Sequence, residues 1–325
     1  MSLTVIDKRG DVVLVLGIEE DEESRLLVSS RVLSLASPVF EAMFNSGFAE
    51  SWGLSSNSPK EVPLPGDDPE CMLWFCLIAH MQFTDLPDRP DPDDFANFAV
   101  LCNKYTCVPA VQPWCKIWAM GFLETSYVDD LETLLFATYV LDLAEEFYKL
   151  TVELVRYRTL YIDTDRACHR HNLVPLEVFS QLYDCKQFYH HEMSKIAYEC
   201  YPFAKIAKST KHHCSLSLAS CFSAFERIGA WQLHKMSIQQ YLDRAGNFQV
   251  NNIDYEIAGE GACEFKCEKK LGFVRRELLS RLGALIDSID GVCLDCVNRP
   301  KGHGGNIVCR VKHGELLWQS EKSSA

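Results

Sequence analysis

Apolar residues in the first third of the chain change their period several times. Asp11-Val-Val-Leu-Val-Leu-Gly17 is a short β-branched run closed by Gly, which predicts a buried strand. Glu19–Glu23 follows as a solvated hairpin tip, and Arg25–Val28 returns as a second strand. Ser29 or Ser30 can cap a short helix carrying Val32, Leu33 and Leu35. Ser37-Pro38 supplies a cap followed by Pro at the first helical position, where its missing N–H costs nothing. Val39, Phe40, Met43 and Phe44 then recur at helical spacing. After the polar loop Leu54–Lys60, Val62-Pro63-Leu64 reads as a short edge strand, because Pro is tolerated there. The expected sheet thus has three strands: Asp11–Leu16, Arg25–Val28 and Val62–Leu64.

From here the pattern is helical. Asp68-Pro69 repeats the cap-plus-Pro signal ahead of Met72, Phe75, Cys76 and Ala79. Leu86–Asp94 reads as a Pro/Asp loop. Phe95, Phe98, Ala99 and Cys102 mark another helix, and Val108–Leu123 one more, bent near Pro113. Long helical patterns follow over Asp129–Tyr157, Val174–Tyr198 and Leu216–Tyr241. The polar, Gly-containing stretch Val250–Gly261 reads as a boundary. An amphipathic helix, Leu271–Ile289, lies beyond it.

At 325 residues, 47% apolar and 24% charged, the chain can build two or three ordinary globular domains. Apolar runs such as Leu134–Leu141 fall far short of the roughly 18–20 residues a membrane span needs. Asp7, Lys8, Arg9 and Asp11 interrupt the start before any secretory pattern begins, so an intracellular protein, cytoplasmic or nuclear, is expected. The 15 cysteines are odd in number. Cys71, Cys76, Cys102 and Cys115 sit inside apolar helical patterns as small hydrophobes, which fits a reducing compartment. The net charge of −13 argues against nucleic acid as a partner, since phosphate contact needs basic surface. The charge is uneven: residues 263–325 carry 11 Lys/Arg against 8 Asp/Glu, and the rest 21 against 37.

Six separated elements match one family in order. Asp11-Val-Val-Leu-Val, Val28-Ser-Ser-Arg-Val-Leu, Ser37-Pro-Val-Phe-Glu-Ala-Met-Phe44, Phe48-Ala-Glu-Ser51, Val62-Pro-Leu64 and Cys102-x2-Tyr105-x-Cys107 resemble a BTB/POZ domain, most closely its fungal form. The resemblance covers about residues 8–120. It implies an α+β fold, a small sheet with clustered helices, and a business of protein–protein contact through self-association or partner recruitment. Phe40, Met43 and Phe44 would then pack under the sheet. Phe48-Ala49-Glu50 matches the hydrophobic-x-acid motif by which some BTB adaptors dock on cullin scaffolds. The alternative is a loop anchor followed by a solvated Glu. BTB dimers that swap a strand have a helix and a strand before the first shared strand. The ten residues ahead of Asp11 cannot supply both at about 1.5 Å per helical residue, so a strand-swapped homodimer is not expected.

The tail carries a second signal. Cys293-x2-Cys296, twelve residues and Cys309-x3-His313 have metal-ligand spacing: each pair closes one side of a Zn²⁺ tetrahedron. Gly302, Gly304 and Gly305 allow a tight turn between the pairs. Cys263, Cys267 and His303 could replace members or form a second site. Buried reduced thiols, or disulfides, are the alternatives. Four protein ligands would make one zinc ion structural, because no position stays open for water. His190-His191, His212-His213-Cys214 and Cys168-x2-His171 lack a partner pattern. No GxGxxG, Walker loop, GxSxG or HExxH occurs, so no enzymatic role is expected. The reading is an interaction protein in three segments: a BTB/POZ domain at 8–122, a mainly helical region at 125–245 and a Cys-rich, zinc-binding tail at 260–318. It would act as a substrate adaptor for a cullin-type ubiquitin ligase, or as a homotypic or transcription-regulatory scaffold without a ligase.

Overall fold

In the computed structural model, residues 2–17, 24–124, 130–159, 173–200, 226–247, 267–299 and 308–313 are described. Strands β1 (Ser2–Val5), β2 (Val12–Leu16), β3 (Ser24–Val28) and β4 (Lys60–Leu64) form one sheet in the order β1-β3-β2-β4. β2 pairs antiparallel with β3 and parallel with β4. Its even-numbered side chains, Val12, Leu14 and Leu16, share the core face with Leu26, Val28, Val62 and Leu64, all buried. On the other face Arg25 and Glu61 reach across β2 to pair at 2.8 Å. Pro63 sits on the edge strand β4, as its missing N–H requires.

The three expected strands form, and a fourth joins them. The described residues ahead of Asp11 are not helical. They form the extended Ser-Leu-Thr-Val of β1 and a turn, and β1 lies parallel to β3 of its own chain. Gly10 makes the return possible: a Cβ there would meet the Val28 carbonyl oxygen at 2.7 Å. The expected hairpin tip, Glu19–Glu23, lies outside the described residues.

Helices α1 (Ser30–Ala36) and α2 (Pro38–Asn45) lie between β3 and β4. The Ser37 hydroxyl accepts from the Phe40 N–H at 3.2 Å and donates to the Tyr105 carbonyl at 2.6 Å, so one residue caps α2 and fastens it to distant chain. Phe40 is fully buried and stacks on Tyr105 at 4.6 Å between centroids, Phe44 at 5.7 Å and Phe75 at 5.9 Å. Met43 is only half-buried. Asp11 accepts from both the N–H (2.8 Å) and the hydroxyl (2.7 Å) of Ser30, tying α1 to the start of β2. The His80 ring completes this corner: its Nε2 accepts from the Ser29 N–H at 3.1 Å, and its Nδ1 lies 2.8 Å from the Cys76 carbonyl. Burial lowers the His80 pKa, which suits an acceptor nitrogen.

Helices α3 (Pro69–Ala79), α4 (Pro92–Lys104), α5 (Val108–Glu124) and α6 (Leu131–Val140) complete this layer. Asp68 caps α3 through the Cys71 N–H at 2.7 Å. Asp91-Pro92 carries the same signal inside the stretch expected to be loop, and α4 starts there. Buried Asp67 accepts from Tyr105 Oη (2.6 Å) and Lys104 Nζ (2.5 Å), anchoring the β4–α3 turn to the end of α4. The helix expected over Asp129–Tyr157 is two helices, α6 and α7 (Ala144–Tyr157). Asp142 takes a left-handed conformation, φ 54°, which an Asp tolerates better than most residues. The turn lets Leu141 and Leu143 both be buried, where one straight helix would point them apart.

The described residues group into two compact units, where the sequence reading has three segments. The first runs through Leu150 and also takes 173–175; the second takes 151–159 and Leu176 onward. Helix α6 packs on α4, which places it with the sheet. In the second unit α8 (Leu176–Cys200) packs against α10 (Cys267–Asp287), and α9 (Ile238–Asn247) against α10. The helix expected over Leu216–Tyr241 is broken within its described part. A 3₁₀ segment, Ala230–Lys235, gives way at extended Met236, and Ser237 caps α9 through the Gln240 N–H at 3.1 Å. The rest of that stretch and the expected boundary Val250–Gly261 lie outside the described residues. No described helix is long and apolar enough to cross a membrane.

Two predictions follow from this packing. Phe40→Ala removes the centre of the aromatic stack and is expected to destabilise the first unit by about 3–5 kcal/mol. Urea unfolding followed by the fluorescence of buried Trp74 and Trp118 measures it, and a loss below about 1 kcal/mol would mean that the stack is not formed. In the second unit, burial pushes His190 down to about 4, with nearby Lys186 adding to the effect and a hydrogen bond to the Arg158 carbonyl opposing it. Its folded pKa lies below the unfolded value of about 6.5, so only the unfolded chain gains a proton in that window. Stability is full above about pH 6.5 and falls toward pH 4, by up to about 3 kcal/mol at the 1.36 kcal/mol of each pKa unit. His190→Leu should flatten this dependence; an unchanged slope would place the imidazole in water.

Candidate functional site

The candidate metal centre is assembled from two short pieces of the second unit. The first begins where α10 ends. Tyr189 of α8 grips the exit: its hydroxyl donates to the Ser288 carbonyl and accepts from the Asp290 N–H, both at 2.8 Å. Cys185, one turn earlier on α8, donates to the Asp290 carbonyl at 3.3 Å. The Val292 N–H then donates to Thr151 Oγ1 at 2.8 Å, and Val292 and Leu294 are fully buried. A single helical turn, Leu294–Val297, follows, with the Cys293 carbonyl accepting from the Val297 N–H at 3.0 Å. That turn places Cys293 and Cys296 three residues apart on one side, as helical geometry requires.

The second piece, 308–313, brings in Cys309 and His313. The ligand atoms of Cys293, Cys296, Cys309 and His313 all lie within 4.8 Å of one another. Cys296 Sγ is 3.6 Å from Cys309 Sγ and 3.6 Å from His313 Nε2. Zn²⁺ bonds of about 2.3 Å to sulfur and about 2.0 Å to nitrogen give a tetrahedron with edges of about 3.5–3.8 Å, so these two separations match. Cys293 is buried; the other three are half-buried.

Burial pushes the Cys296 thiol up to about 12, and the hydrogen bond with Cys309 and the closeness of Cys293 add to it. The Cys293 thiol is raised as well, again by burial first. The Cys293 and Cys296 thiols therefore keep their protons unless a cation offsets that effect, and a coordinated thiol is deprotonated outright. The cluster could hold a metal ion, and every one of its four ligand positions comes from the protein. Of the alternative ligands, Cys263, His303 and the side chain of Cys267 lie outside the described residues, as do His212-His213-Cys214 and Cys168-x2-His171. His190 is buried in α8 and His191 is exposed on it.

Sequence reasoning missed Asp295 and Arg310, which flank the ligands. Arg310 donates to Asp295 three times: its N–H to Oδ2 at 2.7 Å, Nε to Oδ1 at 2.9 Å and Nη2 to Oδ1 at 2.7 Å. Arg310 first of all, by hydrogen bonding, holds the Asp295 carboxyl below its usual range. An acid inside a CxxC and a base next to the following Cys were the available signal.

The second candidate lies in the first unit. Past α2, Phe48 begins a 3₁₀ turn, Ala49–Ser51, whose N–H and hydroxyl of Ser51 both donate to the Phe48 carbonyl. Phe48 is 56% exposed, whereas Phe40 and Phe44 of the preceding helix are buried; Glu50 is half-buried. Trp52, which the sequence reading did not single out, is 72% exposed at the end of the turn. Lys60 of β4 holds the turn from beneath, its Nζ donating to the Ala49 carbonyl and, at 3.1 Å, to that of Trp52.

Compared with known proteins, the chain matches no protein-family model and no curated protein.

The metal reading has a direct check. The full chain, purified reduced and without chelator, should contain about one Zn²⁺ per molecule by elemental analysis. Stripping the ion should loosen the second unit, because binding energy at a structural site is folding energy. Cys296→Ser should abolish stoichiometric zinc, and wild-type protein without metal would refute the site.

Proposed function

We propose that this chain is a non-enzymatic interaction protein: a BTB/POZ-like first unit displays a docking turn, and a zinc-stabilised second unit holds another partner. The best-supported role is a substrate adaptor for a cullin-type ubiquitin ligase. The observation that carries it is the turn at Phe48. A large aromatic just past a helical hairpin whose own Phe40 and Phe44 are buried stays in water, on backbone braced by Lys60, with Glu50 two residues on. Phe48 would fill an apolar pocket on a cullin helix, and Glu50 would accept a hydrogen bond at its rim. Trp52 widens the apolar contact. Zinc is the proposed ion because a Cys₃His tetrahedron suits its indifference to geometry and its affinity for thiolate. An intracellular setting, cytoplasmic or nuclear, fits cysteines kept as thiols.

One observation favours a second reading, a homotypic or transcription-regulatory scaffold without a ligase. Among the described residues β1 is an edge strand that exposes Leu3 and Val5, and such an edge is a template for pairing with another chain. Because β1 already pairs with β3 of its own chain, such assembly would add edge to edge rather than exchange strands.

Binding of the full chain to a purified cullin N-terminal region tests the choice. Truncating a buried aromatic anchor costs roughly 2 kcal/mol or more. Phe48→Ala should therefore weaken binding about thirtyfold, at about 1.4 kcal/mol per decade, with the fold unchanged. Glu50→Gln should chiefly slow association. No binding by the wild type, or equal binding by Phe48→Ala, would remove the adaptor role and leave the scaffold.

A further inference from the structure

The two halves of the Cys₃His cluster are separated in sequence by the twelve residues between Cys296 and Cys309. Something other than the metal must keep them together if the site is to wait for its ion in a folded state. Closing such a loop costs conformational entropy, and a ligand set that has to be gathered at the moment of binding loses that amount from its affinity.

We infer that Asp295 and Arg310 are positioning residues for the metal: their three-bond fork docks the Cys309–His313 segment onto the Cys293–Cys296 turn before the ion arrives. This rests on the zinc reading above and adds to it two residues that are not ligands. The geometry is specific. Asp295 lies between the first two ligands, and Arg310 directly follows the third. The Arg310 backbone N–H is one of the three donors, so the fork fixes the peptide that carries Cys309 and not only a side chain. The other two donors, Nε and Nη2, converge on the second carboxylate oxygen. A planar guanidinium does this and an ammonium cannot.

Charge supports the same role. Three thiolates and Zn²⁺ sum to one negative charge, and a bare carboxylate on the same short turn would add to it. Arg310 cancels the carboxylate's charge. The pair is partly wet, with side chains 15% and 45% exposed, so it contributes little to the stability of the unit as a whole, where partly exposed ion pairs are weak. Its effect is local. Outer partners that orient metal ligands are typically worth 10- to 100-fold in metal affinity, and that is the effect expected here.

The test titrates metal-free full chain, reduced, with Co²⁺, whose thiolate charge-transfer and tetrahedral bands report ligand set and affinity together; a competing chelator fixes the dissociation constant. Asp295→Ala removes all three bonds and should weaken Co²⁺ binding 10- to 100-fold. Arg310→Lys keeps the backbone bond, loses the fork and should fall between Asp295→Ala and wild type. At saturation both variants should bind one ion with the wild-type spectrum. The urea midpoint of their metal-free forms should match that of the wild type, a result that a purely structural role would not give. If Asp295→Ala does not fold, Arg310→Lys carries the test alone. Wild-type affinity in both variants, or in Arg310→Lys alone where Asp295→Ala does not fold, overturns the positioning role while leaving the zinc site intact. A wild-type chain that takes up no Co²⁺ overturns the zinc reading and this inference with it.

Discussion

Three sulfurs and an imidazole nitrogen packed within 4.8 Å set the hardest constraint on the second unit. Thiols in such a cluster give up solvation and, once ionised, repel one another. The surrounding structure must therefore hold them by other means. Helix α8 supplies one, through the Tyr189 hydroxyl and the Cys185 thiol on the chain leaving α10. Thr151 supplies another, at Val292. The Asp295–Arg310 fork supplies the third, and it bears on the Cys309–His313 segment. Each grips backbone next to the ligands rather than the ligands themselves, which leaves four ligand atoms for an ion.

The first unit solves a different problem. Its central strand β2 is buried on both faces, and the helical hairpin between β3 and β4 must give up its aromatic residues to the core. Phe40 and Phe44 do so, joined by Tyr105 and Phe75 in one stack. Phe48 lies past the end of α2, where helical periodicity no longer dictates a direction, and stays in water. Core and exposed turn are thus separated by a few residues of sequence and by the Ser37 and Lys60 anchors, which fix backbone on either side. The distinction matters for the proposed adaptor role: an aromatic residue can serve as an anchor only if folding does not consume it.

Much of this was legible because it is local. Ser37-Pro38 and Asp68-Pro69 announce helices because their caps bond to N–H groups three residues away, at Phe40 and Cys71. The apolar run of β2 announces a strand, and Cys-x2-Cys and Cys-x3-His announce the two halves of the Cys₃His cluster, since each pair needs only one turn of backbone. Where local signals met a competing demand, they misled. The helical period through Leu141 and Leu143 continues without a break, yet burial of both side chains forces the turn at Asp142. The Ser-Leu-Thr-Val of β1 is too short to stand out, and only β3 alongside makes it a strand.

The sequence alone therefore determined three of the four strands, the Ser37 and Asp68 caps and the four residues of the cluster that could hold a metal ion, all of which rest on interactions spanning a few residues. Tertiary structure decided the rest: that α6 joins the sheet-bearing unit, that Phe48 is exposed while Phe44 is not, that Tyr189 holds a loop some hundred residues away, and that Asp295 meets Arg310. The reason is physical. A contact between distant residues forms only when the whole fold offsets the entropy of closing the loop between them, and no short stretch of sequence carries that sum.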